Sequence, residues 1–260
     1  MKPKNALVVC YKNNFGTDSV VKKALQKFSI QYKCIDRDDL SLSGLKGHDL
    51  IITVGGDGTF LRTAQHVTNQ LVLSVASNLR FNEGFYSRAS KSDFEKKLRR
   101  IVYGKFKILE LNRLHSSISY KGKVQSVEPA LNEIFIGNSK PYLTTRYTLV
   151  IGRKSEFQKS SGILVATGAG STAWAGSAGG RKLSFSSKKS IFVVREPYKG
   201  RLCRPKLTKG ILAPGATLKI ISHDWAGIVA VDSHHHEHTF KEGAVITVTN
   251  SALPLRFVDF

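Results

Sequence analysis

Leu50-Ile51-Ile52-Thr53-Val54-Gly55-Gly56-Asp57-Gly58-Thr59 is the stretch that decides the fold. An apolar run ends in a glycine turn that carries one carboxylate, and a helix follows, with Phe60, Leu61, Ala64 and Val67 on one face. Three glycines allow positive φ and close approach of a ligand. The helix N-terminus adds free N–H groups and a positive dipole end, a natural seat for phosphate. An aspartate is odd in a simple anion seat. It points to a group that must be deprotonated beside a phosphate, or to a held metal.

Outward from this turn, the first hundred residues alternate strand and helix. Leu7–Cys10 and Leu71–Val75 read as strands, and Val20, Val21, Ala24, Leu25 and Phe28 share a helical face. Ser92-x-x-Glu95 is a capping-box signature opening a helix with Phe94, Leu98, Ile101 and Val102. The pattern predicts a mostly parallel sheet with helices on both faces. Near Lys105 it changes to short alternating runs. Ser117–Tyr120 and Val124–Val127 flank Lys121-Gly122-Lys123 as a hairpin. Further strands are expected at Glu133–Ile136, Tyr147–Ile151, Ile163–Ala166, Ser190–Arg195, Thr217–Ser222, Gly227–Val231, Ala244–Thr249 and Leu255–Val258, with one helix starting near Thr172. The expected fold class is an α/β domain over residues 1–104 and an all-β, sandwich-like domain over 105–260, the last strand being a candidate to return to the first domain.

Of the 260 residues, 41% are hydrophobic, enough for a sizeable core. No apolar run approaches the roughly 20 residues of a membrane helix. Residues 1–11 are too short an apolar stretch for a signal peptide and read as the first strand. Three scattered cysteines make neither a disulfide framework nor a zinc site, so the cytoplasm is the expected compartment. The net charge of +21 fits a polyanionic partner or a lysine-rich solvated surface. It is uneven: Phe157 to Arg195 holds no acid, and Arg181 to Lys209 holds ten basic residues against Glu196.

Four motifs carry chemistry. Asp57 reads either as a helix cap or as a catalytic carboxylate, and the flanking glycines favour a ligand. Asn132-Glu133, set before a strand, can read the hydroxyls of a sugar diol, although alone a plain turn that prefers Asn is the better reading. Thr167-Gly168-Ala169-Gly170-Ser171-Thr172-Ala173-Trp174 is a strand-fed Gly-x-Gly turn lacking both the third glycine of a dinucleotide fingerprint and the lysine of a Walker loop. Trp174 suits a stacked base, although without context a core position is the better reading. In Asp232-Ser233-His234-His235-His236-Glu237-His238, three histidines would share a strand face and permit metal ligation, whereas a solvated hairpin is the simpler reading.

Together and in this order, Gly55–Thr59, Asn132-Glu133 and Thr167–Ala173 resemble the NAD kinase family over nearly the full length. The glycine turn alone is less specific, since diacylglycerol kinases, sphingosine kinases and phosphofructokinases carry similar turns. Leu131–Gly137, Lys159–Gly162, Ala173-Trp174 and Arg195-Glu196-Pro197 resemble the mitochondrial type more than the common bacterial type. Where the bacterial type has Asp-Gly, facing the nicotinamide end, this chain has Ser161-Gly162. Asn82-Glu83-Gly84-Phe85 matches the family's Gly-Phe turn loosely.

The resemblance implies a Rossmann-like domain, a β-sandwich and a site in the cleft between them. The implied reaction is phosphorylation of the adenosine ribose 2′-hydroxyl of NAD by ATP or polyphosphate, with Mg2+ or another divalent metal arriving with the donor and no standing metal ligand. Asp57 would be the general base. Gly56, Gly58 and Thr59 would meet phosphate, Asn132 and Glu133 would grip ribose, and Thr172, Ala173, Trp174 and Ser177 would line the base and nicotinamide pocket. Leu61 and Phe85 would be apolar walls, and Ser161 would stand at the nicotinamide end. Partners would be NAD, the donor and further copies of the chain as a dimer or tetramer, with no specific nucleic acid and no membrane. Competing readings are a diacylglycerol-type lipid kinase, a basic nucleic-acid-binding module and an inactive family member.

Overall fold

The computed structural model describes residues 3–12, 14–78, 83–140, 142–201, 203–233 and 237–260. The chain divides into two compact units, Met1–Glu110 with Leu255–Phe260, and Leu111–Pro254.

The first unit is built on a seven-stranded sheet. In spatial order its path runs Gln31–Asp36, Asn5–Cys10, Leu50–Gly55, Leu71–Ala76, Leu255–Asp259 and Lys107–Leu111, with the short Ala89–Ser90 beside Leu71–Ala76. The first five strands of this path pair in parallel, with Val8, Ile52 and Leu73 in line across the three central ones. Every residue of Leu50–Gly55 is buried, as a central parallel strand covered on both faces requires. Helices Thr17–Lys27 and Phe94–Val102 bury Val21, Leu25, Phe94, Leu98 and Ile101 against one face, over Val8, Ile52 and Val75. Because Lys107–Leu111 joins this sheet, the first unit extends past residue 104, the boundary expected from the change of pattern near Lys105.

The capping box is not formed. Asp93 is the N-cap of its helix, and its carboxylate accepts from Ser90 N and Oγ at 2.7 and 2.9 Å. Glu95 instead pairs with Lys27 of the neighbouring helix.

The second unit holds two six-stranded sheets, with its core between them. One runs Lys154–Ser160, Thr145–Ile151, Leu218–Ser222, Val245–Asn250, Leu114–Tyr120 and Lys123–Ala130. The other runs Lys209–Leu212, Ser190–Val194, Ile163–Ala166, Glu133–Asn138, Gly227–Val231 and Glu237–Thr239. Among the described residues the strands of both sheets pair antiparallel, and alternate residues such as Tyr147, Leu149, Ile220, Ile246, Ile136 and Val229 enter one core. The hairpin turns on Lys121 and Gly122, both at positive φ (46° and 77°), matching the twist of the strands it joins. Among the described residues no helix is long and apolar enough to cross a membrane.

Candidate active site

Gly55 closes the central parallel strand at its carboxyl end, where open α/β sheets place ligands. A Cβ on Gly55 would fall 2.5 Å from Thr59 Oγ1, so glycine is required for the helix to start this close to the strand. Gly56 is the N-cap, at φ −101°, and none of the turn's three glycines has positive φ. Of the two freedoms that glycine offers, the turn uses close approach, at Gly55, and not positive φ. A Cβ on Gly58 would meet nothing within 4 Å, leaving that side of the turn open. Thr59 is buried and its N–H donates to Gly56 O at 3.1 Å, while Leu61 is half-buried.

Asp57 begins the helix without capping it. Its two carboxylate oxygens accept from two consecutive N–H groups, Phe85 N to Oδ2 at 3.0 Å and Tyr86 N to Oδ1 at 2.9 Å. Each oxygen keeps a second lone pair for a hydroxyl. One turn along the same helix, Phe60 stacks on Tyr86 (centroids 4.6 Å apart) and meets Phe257 edge-on. Asp57 and Phe60 thus fix the segment that carries Phe85, whose ring is 43% exposed beside the carboxylate.

In the second unit, the turn Leu131–Glu133 is held from two sides. The Asp232 carboxylate accepts from the N–H groups of Leu131, Asn132 and Glu133 at 2.7–3.2 Å, and Asp232 N donates to Glu133 O. Asp232 sits at φ 51°, a strained setting for a non-glycine residue that these bonds maintain. From the other side, Thr167 Oγ1 donates to Leu131 O at 2.6 Å, and Thr167 N donates to Asn132 O at 2.9 Å. A Cβ on Gly170 would lie 2.1 Å from Asn132 O. The glycines of the Thr167–Ala173 loop therefore serve close loop packing. The helix expected near Thr172 is a 3-10 turn, Ala169–Thr172, and a single α turn, Trp174–Ser177. Four residues align too few peptide dipoles for an anion seat.

Glu133 is 2% exposed; Ser233 Oγ donates to its Oε1 at 3.3 Å, and its Oε2 is buried without a partner among the described residues. Burial first, then the adjacent Asp232 charge, push the carboxyl up to about 8. Such a group can donate its proton to a sugar oxygen as well as accept. Linkage gives a sign. The folded chain holds this proton more tightly than the unfolded chain, so its stabilising contribution is complete below about 4.5 and is lost as pH rises through about 8. Glu133→Gln cannot titrate there. Thermal midpoints measured from pH 5 to 8 are expected to fall more steeply for the wild type than for this variant. Parallel curves would contradict the assignment.

Nearby in the chain, Phe135, Ser161, Trp174, Arg195, Ser233 and Glu237 help to line a cavity of about 730 Å3. Trp174 lies against Phe135 (4.9 Å), and the Arg195 guanidinium stands 5.0 Å from the Trp174 ring centre. Ser161 N donates to Arg195 O, and Arg195 N to Gly162 O. Gly162 (φ 111°) must be glycine, since a Cβ there would press on the Phe135 ring at 2.6 Å. Thr172 and Ser177 are exposed and Ala173 is half-buried, with the two hydroxyls folded back on Ala169 O and Ala173 O.

The sequence assigned site roles to Asp57, Phe85, Asn132, Glu133, Ser161 and Trp174 but none to Tyr86, Phe135, Arg195 or Asp232, with Phe135 and Arg195 appearing only within stretches that resemble the mitochondrial type. Asp232 was read as part of the histidine run. Of that run, His234–His236 lie outside the described residues, and His238 is bound to Glu128 and Gln125 (2.6 and 3.1 Å). Among the described residues no three His, Cys, Asp or Glu side chains converge as a metal site.

A family model described as the ATP-NAD kinase N-terminal domain matches residues 9–106. A probable NADH kinase of Oryza sativa subsp. japonica is 29% identical over 264 residues, covering 93% of this chain and 80% of that protein. An NAD kinase of Shewanella halifaxensis is 30% identical over 212 residues, covering 81% and 67%. The crystal structure of yeast NADH kinase complexed with NADH has a TM-score of 0.85 at 19% identity over 100% of this chain and 84% of that one, a likeness of fold. With its glycine turn, Asn-Glu pair and TGxGSTA loop in place, this chain belongs to the NAD kinase family.

Proposed function

We propose that this protein is an NAD kinase, a phosphotransferase that moves the terminal phosphoryl group of ATP to the adenosine ribose 2′-hydroxyl of NAD. The observation that carries the reading is the Asn132-Glu133 turn, where a buried carboxyl keeps one oxygen without a partner among the described residues, beside an amide on a turn held from both sides. That donor–acceptor set suits a ribose hydroxyl pair. The relatives' names give no support to a lipid kinase or a nucleic-acid module.

In the proposed mechanism, Asn132 and Glu133 orient the ribose and Trp174 stacks on a ring of the dinucleotide. Asp57 takes the 2′-hydroxyl proton as that oxygen attacks the phosphorus. The bond from phosphorus to the bridging oxygen breaks, and ADP leaves with the electron pair. Positioning and charge neutralisation supply most of the acceleration in such transfers. We infer that the donor would carry a divalent cation, which would supply neutralisation of phosphate charge. The free lone pairs of Asp57 suit one contact to such an ion. The acid-free basic segment from Phe157 to Arg195 supports polyphosphate as a second donor. Free Cys10, Cys34 and Cys203 support a cytoplasmic setting. A homo-oligomer is the proposed assembly, and sedimentation at micromolar concentration checks it.

Trp174→Ala is expected to raise KM for NAD about tenfold and to leave kcat within about threefold, the size of one lost base-stacking contact. Steady-state NADP formation measures both.

A further inference from the structure

We propose that Arg88 and Asp259 form a positioning couple for Asp57, aiming its carboxylate through the peptide plane between Phe85 and Tyr86. The inference rests on the reading of Asp57 as the base.

Gly84 to Ser87 is a tight turn, closed by Ser87 N donating to Gly84 O at 3.0 Å, with Gly84 at φ 65°. The Phe85–Tyr86 peptide is the central plane of that turn, the unit whose rotation separates turn types. A peptide is planar, and in the trans form its C=O and N–H point in opposite directions. At one end of this plane Tyr86 N–H reaches Asp57 Oδ1 at 2.9 Å; at the other, Phe85 O accepts from Arg88 Nη1 at 3.2 Å. The plane is clamped at both ends. A flip would turn the carbonyl toward the Asp57 carboxylate and withdraw the N–H. The guanidinium also polarises the carbonyl it binds, which strengthens the N–H as a donor to Asp57.

Arg88 is itself held. Its Nε donates to Asp259 Oδ1 at 2.7 Å, Nη1 also reaches Ser87 O at 3.1 Å, and the guanidinium lies 4.8 Å from the Phe257 ring centre. Phe257 in turn meets Phe60 and Tyr86, the pair that docks the Asp57 helix on this segment. Side-chain exposures of 24% and 28% for Arg88 and Asp259 make the pair a weak source of stability. Its value lies in the direction it imposes.

The test is a double-mutant cycle on the full chain with an amide-exchange readout. Arg88→Met keeps the apolar stem and removes the fork. It is expected to lower kcat by about ten- to a hundredfold, as a displaced catalytic group does, with KM for NAD changed less than about threefold. In an Asp57→Asn background the same change should cost less than about threefold further. Arg88→Lys should recover part of the loss, and Asp259→Asn should act in the same direction as Arg88→Met but more weakly. Hydrogen exchange at the Phe85 and Tyr86 amides should quicken in Arg88→Met while the thermal midpoint holds. Equal losses in both backgrounds, or unchanged exchange at both amides, would overturn the couple. Wild-type turnover in Asp57→Asn alone would sink the base assignment, and the exchange rates would then decide the couple by themselves.

Discussion

Asp57→Asn is expected to lower NADP formation about a thousandfold, within the range that removal of a general base produces. Asparagine keeps the size of the side chain but cannot take the hydroxyl proton. It also turns an NH2 toward one of the two backbone N–H groups that Asp57 now receives, from Phe85 or from Tyr86. That mismatch costs about 1–3 kcal/mol of stability. The two effects separate cleanly. A thermal midpoint reports the mismatch, and calorimetric titration with NAD reports whether the acceptor still binds. The expected pattern is a folded variant, modestly destabilised, that binds NAD and does not turn it over.

Asp232→Ala is expected to destabilise the second unit as strongly as the loss of a large core side chain. It strips the acceptor from three consecutive N–H groups, two of them on the buried residues Leu131 and Glu133. At 1–3 kcal/mol for each buried donor left without a partner, the loss is about 3–5 kcal/mol. Urea unfolding monitored by far-UV circular dichroism measures it. Activity should fall as well, because the freed turn no longer presents Asn132 and Glu133 together. The Glu133 carboxyl should drop from about 8, since the Asp232 charge is the second cause of its rise. Asp232→Asn keeps one acceptor oxygen and tolerates left-handed backbone, so it should lie between the two. Equal stability of Asp232→Ala and wild type would show that this carboxylate does not hold the turn.

Most of the fold was legible in the sequence, and, the two-residue strand Ala89–Ser90 apart, the strands that were not share one cause. Strands Gln31–Asp36, Lys107–Leu111, Lys154–Ser160, Lys209–Leu212 and Glu237–Thr239 were missed, and each stands at the end of its sheet. An end strand buries little, so it carries little hydrophobic pattern; Gln31–Asp36 has no fully buried residue. Lys123–Ala130, the sixth end strand, was found through its Lys-Gly turn rather than its own pattern. The site divides in the same way. Asp57, Asn132 and Glu133 lie in short motifs whose residue types already state their chemistry. The groups that hold them do not: Asp232 is about a hundred residues from the turn it binds, and Asp259 is 171 residues from Arg88. Long-range contacts of this kind leave no local spacing to read. The turn glycines were a subtler case, since a glycine chosen for close approach and one chosen for positive φ look alike in sequence.

The most direct measurement incubates the purified chain with NAD, ATP and Mg2+ and follows the product with an NADP-specific dehydrogenase, with 31P NMR on the same sample. NADP should accumulate in step with ADP, and a new phosphomonoester resonance should appear from the 2′-position of the adenosine ribose. Hydrolysis of ATP without NADP, or phosphate appearing at another position of the dinucleotide, would contradict the proposed reaction.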